Sequence, residues 1–197
     1  SHAEITRNLV ELFNLRHNPK KIKIAKKSLP ALEKQILQSL EAVTSLDDDR
    51  ILRRFWYLIK ATLRTNYFQT TANEEPKEYL SFKLSSNDVP ELPLPRPLYE
   101  IFVYAPRFEG IHLRGAKVAR GGLRWSDRRE DFRTEILGLM KAQKVKNAII
   151  VPSGAKGGFV LKTVPQAATR DARTKKVLFS YSLFICGLLY FTDNFLL

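Results

Sequence analysis

The strongest constraint on the chain is VPELPLPRP (89–97), with four prolines in nine residues. Proline lacks an amide hydrogen and fixes φ, so this stretch serves neither as helix interior nor as central strand. It reads as an extended connector. In the first third of the chain the apolar spacing is helical. PALEKQILQSLEAV (30–43) places Leu32, Ile36, Leu40 and Val43 on one face. SLDDDRILRRFWYLIKATLRTNYF (45–68) opens with Ser45 and three aspartates, which suit a helix N-terminus as cap and dipole partners. Its residues Ile51, Phe55, Leu58, Ile59 and Leu63 are expected to face the core. The polar run TTANEEPKE (70–78) ends this part, which predicts a helical lead-in over residues 1–75 and a second domain over 76–197.

The second part changes period. YLSFKL (79–84), YEIFVYA (99–105) and GIHLRG (110–115) read as strands, with RFEG turning a hairpin between the last two. A basic glycine loop, KVARGGLRWSD (117–127), leads into a helix over 127–146. Asp127 and Glu130 form the D-x-x-E pattern of a capped start, and Phe132, Ile136, Leu139 and Met140 mark its buried face. NAIIV (147–151) reads as a central strand that runs into the turn PSGAKGG, and FVLK (159–162) resumes extended structure. A long helix closes the chain over about 166–192. The fold class expected is α/β in the mixed α+β sense: a helical N-terminal segment, then a mixed sheet with a long C-terminal helix.

That last helix contains VLFSYSLFICGLLYF (177–191), which is short for a bilayer span, carries Ser180, Tyr181 and Ser182, and is followed by Asp193. A buried helix is expected, and no membrane. Cys186 within it is expected to be buried and inert, and one cysteine per chain fits a reducing, cytoplasmic setting. Residues 103–176 hold 17 Lys and Arg against 6 Asp and Glu, most of the chain's net charge of +13. Such an excess suits anionic partners: small carboxylates, phosphates or nucleic acid.

The chemistry turns on VPSGAKGGFVLK (151–162), where Gly154, Gly157 and Gly158 surround Lys156. A phosphate loop needs G-x-x-x-x-G-K-[ST]; here Gly157 follows the lysine and the upstream glycine is missing. The dinucleotide pattern G-x-G-x-x-G fails on spacing. His2, His17 and His112 are too scattered to suggest a metal site, and no G-x-S-x-G elbow is present. Two readings stay open: a turn whose lysine points to water, or an amine held close to a carboxylate ligand and able to exchange protons with it. A nucleic-acid-binding or assembly module is the rival class, since ten basic residues from Arg114 to Lys146 would suit a phosphate backbone, although no recognised binding motif accompanies them.

RGGLRWSDRREDFRTEILGLMKAQKVKNAIIVPSGAKGGFV (120–160) resembles the catalytic segment of the large bacterial NAD-specific glutamate dehydrogenases. DDDRILRRFWYLIKATLRTNYFQ (47–69), LPLPRPLYEIFVYAPRFEGIHLRG (92–115) and GLLYFTDN (187–194) are similar to the same family, in the same order. The resemblance implies oxidative deamination of L-glutamate to 2-oxoglutarate and ammonia, with NAD as oxidant. It implies that Lys156 is the catalytic amine and that Lys146 binds the substrate α-carboxylate, with Lys141 a rival because the M-x-x-K spacing is not kept. Arg120 stands where the smaller family members have a lysine and is expected on the distal carboxylate. Arg124 is expected as a supporting residue, and Gly121 and Gly122, like the glycines around Lys156, as points of close backbone approach. The resemblance also implies an NAD-binding domain and an acidic proton shuttle beyond Leu197, so that this chain is a fragment, inactive alone, of a homo-oligomeric enzyme.

Overall fold

The computed structural model describes residues 2–147, 153–163 and 169–193. They form two compact units, one made of residues 1–62 and 88–90, the other of residues 63–87 and 91–197. The division falls earlier than the polar stretch 70–78.

The first unit packs three helices: α1 (Ala3–His17), α2 (Ile22–Glu41) and α3 (Leu46–Ala61). Ile5, Leu9 and Leu12 of α1 meet Ile36 and Leu40 of α2 and Leu52 of α3. Leu32, Ile36, Leu40 and Val43 all pack toward the core as expected, but α2 starts eight residues ahead of Pro30 and carries it inside. Ala25 and Leu29 give that first stretch a face to pack, which offsets the cost of the proline. Ser45 caps α3, its hydroxyl accepting from the Asp48 amide at 3.4 Å. Ile59 of the expected stripe packs on the core, but the rest of the buried face of α3 lies one position along from the expectation. Leu52, Trp56 and Ile59 pack on the core; Ile51, Phe55, Leu58 and Leu63 are exposed. Both sets have helical spacing, and the partner surface decides which is inward. Glu33 ties the helices together, 2.8 Å from Lys60 Nζ and 3.8 Å from Arg16.

Among the described residues the second unit centres on six strands: β1 (Thr62–Thr65), β2 (Leu80–Ser85), β3 (Tyr99–Ala105), β4 (Phe108–Arg114), β5 (Leu123–Trp125) and β6 (Ala155–Leu161), in the order β1-β2-β3-β4-β6-β5. β2, β3, β4 and β6 are antiparallel neighbours, and β5 joins parallel to β6. Helix α3 was expected to run to Phe68 but yields to β1, and Asn66, just past β1, is tied to the start of β2. It is 1% exposed, its Oδ1 accepts from Ser81 N at 2.7 Å, and its Nδ2 donates to Tyr79 O at 2.9 Å. The β3–β4 hairpin is tighter than the RFEG turn expected. Phe108 already pairs with Ala105, since its ring is fully buried.

A helix covers each face of the sheet. On one side lies α4 (Phe132–Asn147), whose Ile136, Leu137 and Met140 pack on Ile111 and Leu113. On the other lies α5 (Arg170–Asp193), whose Phe184 packs between Phe108 and Phe159. Helix α4 starts at Phe132, not at Asp127. The DRRE residues form a turn, with Arg128 N donating to Ser126 Oγ at 3.1 Å and the Arg128 guanidinium paired with Asp131. Only one face of α5 is buried: Leu178, Phe179, Tyr181 and Leu189 are exposed, and so is Cys186, contrary to expectation. By length and composition alone α5 is long and apolar enough to cross a membrane. Here its Phe184 and Phe191 face are packed instead. The strand expected at 147–151 lies outside the described residues, save Asn147, which ends α4.

Candidate active site

The two glycine motifs, far apart in sequence, are paired backbone to backbone. The segment from Arg120 to Trp125 runs parallel to the segment from Ser153 to Phe159. Arg120 N donates to Ser153 O at 3.2 Å, Ala155 N to Arg120 O at 2.9 Å, and Gly157 N to Gly122 O at 3.1 Å. Leu123 then pairs with Gly157 and Trp125 with Phe159. The helix α4 between the two segments forms the crossover that a parallel pair requires.

This pairing corrects the reading of SGAKGG as a turn. Lys156, Gly157 and Gly158 lie inside β6, and no glycine among the described residues has a positive φ. The glycines are needed for space. A Cβ on Gly157 would stand 2.3 Å from Leu123 Cδ2, and one on Gly158 would stand 2.2 Å from Ile136 Cδ1. At Gly121 the demand is stricter, since a Cβ there would fall 1.4 Å from the carbonyl oxygen of Ala155. Close approach of two backbones, expected of Gly121 and Gly122 toward a ligand, is here satisfied first by a strand.

Side chains alternate along a strand, so Lys156 shares the α4 face with Gly158, which touches Ile136. Lys156 is half-buried beside Leu113, its partner on β4. Its Nζ is 4.0 Å from the point where Gly122 would carry a Cβ. The amine therefore lies over the bare backbone of the RGG segment, and a side chain at 122 would compete for that space. Arg120, in register with Gly154, is exposed at the mouth of the same ladder.

Arg124, two residues beyond Gly122, is held by α4. Its Nε is 3.0 Å from Glu135 Oε1, and the other oxygen of that nearly buried carboxylate accepts from Ser126 Oγ. Glu135 was not singled out in the sequence; its signal, the first acidic residue of a helix that follows an RGGLR strand, becomes visible only once the pairing is known. Lys141 is exposed on α4, where with Met140, Gly115, Ser153 and Gly154 it rims a cavity of about 110 Å³. Gly115 is a second unanticipated member. Its amide donates to Gly154 O at 3.0 Å, and a Cβ on it would stand 2.4 Å from Ser153 Oγ. The side chain of Lys146 lies outside the described residues. The structure thus brings together Arg120, Gly121, Gly122, Gly154 and Lys156, sets Lys141 against Gly154, and gives Arg124 a structural anchor.

The glycine run does not fit a dinucleotide. Such a cradle needs a turn opening a helix, whose free amides meet the pyrophosphate; here the glycines continue into β6 and their amides serve the ladder. Among the described residues no group of three His, Cys, Asp or Glu is placed to hold a metal ion.

Residues 35–196 match the profile of the bacterial NAD-glutamate dehydrogenase catalytic domain. The chain belongs to this family. It is 58% identical over 194 residues to the NAD-specific glutamate dehydrogenase of Halomonas elongata, 55% over 198 to that of Pseudomonas aeruginosa, and 54% over 200 to that of Mycobacterium tuberculosis. In each case 98% of this chain is covered but only 12% of the relative, so the chain spans about an eighth of the length of these proteins. In this chain the mixed sheet with a helix on each face is the scaffold on which the RGGLR and SGAKGG segments meet.

Proposed function

We propose that this chain is part of the glutamate-binding half of an NAD-dependent glutamate dehydrogenase, and that Lys156 is its catalytic amine. The observation that carries the reading is the ladder joining Arg120–Gly122 to Gly154–Gly157, with Lys156 Nζ 4.0 Å from the position of a Gly122 Cβ. Glutamate presents two carboxylates and an α-amino group, so it needs two separated cations and a third amine near the reacting carbon. Arg120 serves the distal carboxylate, where a guanidinium can bind both oxygens. Lys146 or Lys141 serves the α-carboxylate.

Lys156 holds the proton inventory at the α-carbon. It takes a proton from water as that water adds to the α-imine of the oxidised substrate, and returns it to the departing ammonia. The bare Gly122 backbone leaves room for the α-carbon against the amine. The Glu135–Arg124 pair fixes β5 on α4, which keeps the ladder in register. NAD, when bound, accepts the hydride; the residues described here supply no cradle for it, so it is held by other parts of the enzyme. The same reading places the enzyme in the cytoplasm and makes the 197-residue chain inactive alone.

In the full-length enzyme, Lys156→Ala is expected to lower kcat by about 10²-fold or more, the scale of a lost acid–base group, with the melting temperature little changed. The isolated chain, as a control, is expected to give no glutamate-dependent NADH. A kcat near wild type for Lys156→Ala would remove the assignment.

A further inference from the structure

On the α5 face of the sheet, opposite to the one that carries Lys156, the second unit holds a cavity of about 410 Å³. Its polar wall is formed by Lys83, His112, Arg114 and Lys117, and its apolar wall by Ile101, Leu188 and Phe191, the last two from α5. Among the described residues no carboxylate lines it. Among the described residues the Lys83 amine has an aromatic neighbour, with Nζ 4.5 Å from the centre of the Tyr99 ring. The guanidinium of Arg114 is aimed by two backbone carbonyls, those of Ala116 at 3.1 Å and Lys117 at 2.8 Å. Carbonyls orient a cation but do not neutralise it.

The positive potential left over is felt by neighbouring groups. Burial, then the guanidinium groups of Arg64 and Arg114, pushes the Lys83 amine below its ordinary range. Burial, then Arg114, pushes His112 down to about 4, so it is neutral at neutral pH. Cations gathered in a half-enclosed space, with no carboxylate among the described lining residues, favour an anion entering it, and low-dielectric walls strengthen that attraction. A volume in this range, with one apolar and one polar wall, suits a small ligand better than a flat partner surface.

We propose that this cavity binds a small organic anion, its carboxylate or phosphate head meeting Lys83, Arg114 and Lys117 and its short hydrocarbon body lying against Ile101, Leu188 and Phe191. The proposal stands apart from the catalytic reading, because it uses the other face of the sheet and none of the residues assigned to turnover.

Titration calorimetry of the 197-residue chain at physiological salt tests it, with hexyl phosphate, hexanoate, 1-hexanol and inorganic phosphate as probes. At least one amphiphilic anion is expected to bind about tenfold or more tightly than both hexanol and inorganic phosphate, and the tighter of the two names the head group. Lys83→Met with Lys117→Gln is expected to weaken that binding about tenfold, with an unchanged circular dichroism spectrum. Should the double variant fail to fold, Lys117→Gln alone, at an exposed position, is expected to weaken binding about threefold. Absence of saturable binding, equal affinity for hexanol, or affinity unaltered in the folded variant would each overturn the proposal.

Discussion

Adding one methyl group at each of three glycines separates a backbone constraint from a side-chain one and from none. At Gly121 the new Cβ would fall 1.4 Å from the Ala155 carbonyl oxygen and 2.4 Å from its carbon. Backbone cannot rotate away, so relief requires β5 to part from β6. That movement breaks the bonds Arg120 N–Ser153 O, Ala155 N–Arg120 O and Gly157 N–Gly122 O. At a net value of about 1 kcal/mol each, Gly121→Ala costs about 3 kcal/mol. At Gly158 the obstacle is Ile136 Cδ1 at 2.2 Å, the far end of a side chain, although one in a filled core. Overpacking of that kind costs about 1–2 kcal/mol. Gly138, on the exposed face of α4, has nothing within 4 Å, so Gly138→Ala gains about 0.5–1 kcal/mol through helix propensity. Urea melts followed through Trp125, in a Trp56→Phe background, read the unit that holds all three sites. The order of stability is therefore Gly138→Ala, wild type, Gly158→Ala, Gly121→Ala. A Gly121→Ala protein within about 0.5 kcal/mol of wild type, or more stable than Gly158→Ala, would refute the paired-ladder account.

Acid should weaken the sheet unit in a defined window. His112 titrates near 4 when folded, because burial and then Arg114 disfavour its charged form, against 6.5 unfolded. A histidine depressed in this way leaves stability intact above pH 6.5; stability then falls with pH until about 4 and is flat below. The gap corresponds to about 3 kcal/mol. His17, also pushed down to about 4, belongs to the helical unit. Urea melts at pH 7.5 and 4.5, followed through Trp125 in the Trp56→Phe background, should therefore show most of that loss with His112 and not with His112→Gln. Melts of the same chain at pH 7.5 are expected to place Asn66→Ala about 2–3 kcal/mol below wild type, since it strips a buried strand amide of its acceptor.

Much of this fold is legible in the residues, and the failures share one cause. Period identifies a helix or a strand, but the direction it faces depends on what arrives from elsewhere. Ile51 and Leu52 are equally apolar neighbours on α3, and only the position of α1 and α2 selects Leu52. Asn66 looks like a polar residue at a helix end until β2 supplies its two partners. The glycines beside Lys156 have the composition of a turn, yet a glycine is also what a strand requires where Leu123 and Ile136 press on it. In the candidate site, the residues with unusual chemistry, Lys156 and Arg120, stand out from the motif. Those that brace the ladder around them, Glu135 on Arg124, Ser126 on Glu135 and Gly115 on Gly154, are ordinary residues whose contacts arise from a parallel pairing that no local pattern encodes.

The central claim is that the paired glycine segments present Lys156 and Arg120 to one glutamate molecule. A structure of the full-length enzyme with 2-oxoglutarate bound tests this most directly. The account predicts Lys156 Nζ within about 3.5 Å of the 2-oxo group or the water that attacks there, with the Arg120 guanidinium on the distal carboxylate. A ligand seated elsewhere, with Lys156 turned to solvent or to protein, would contradict it.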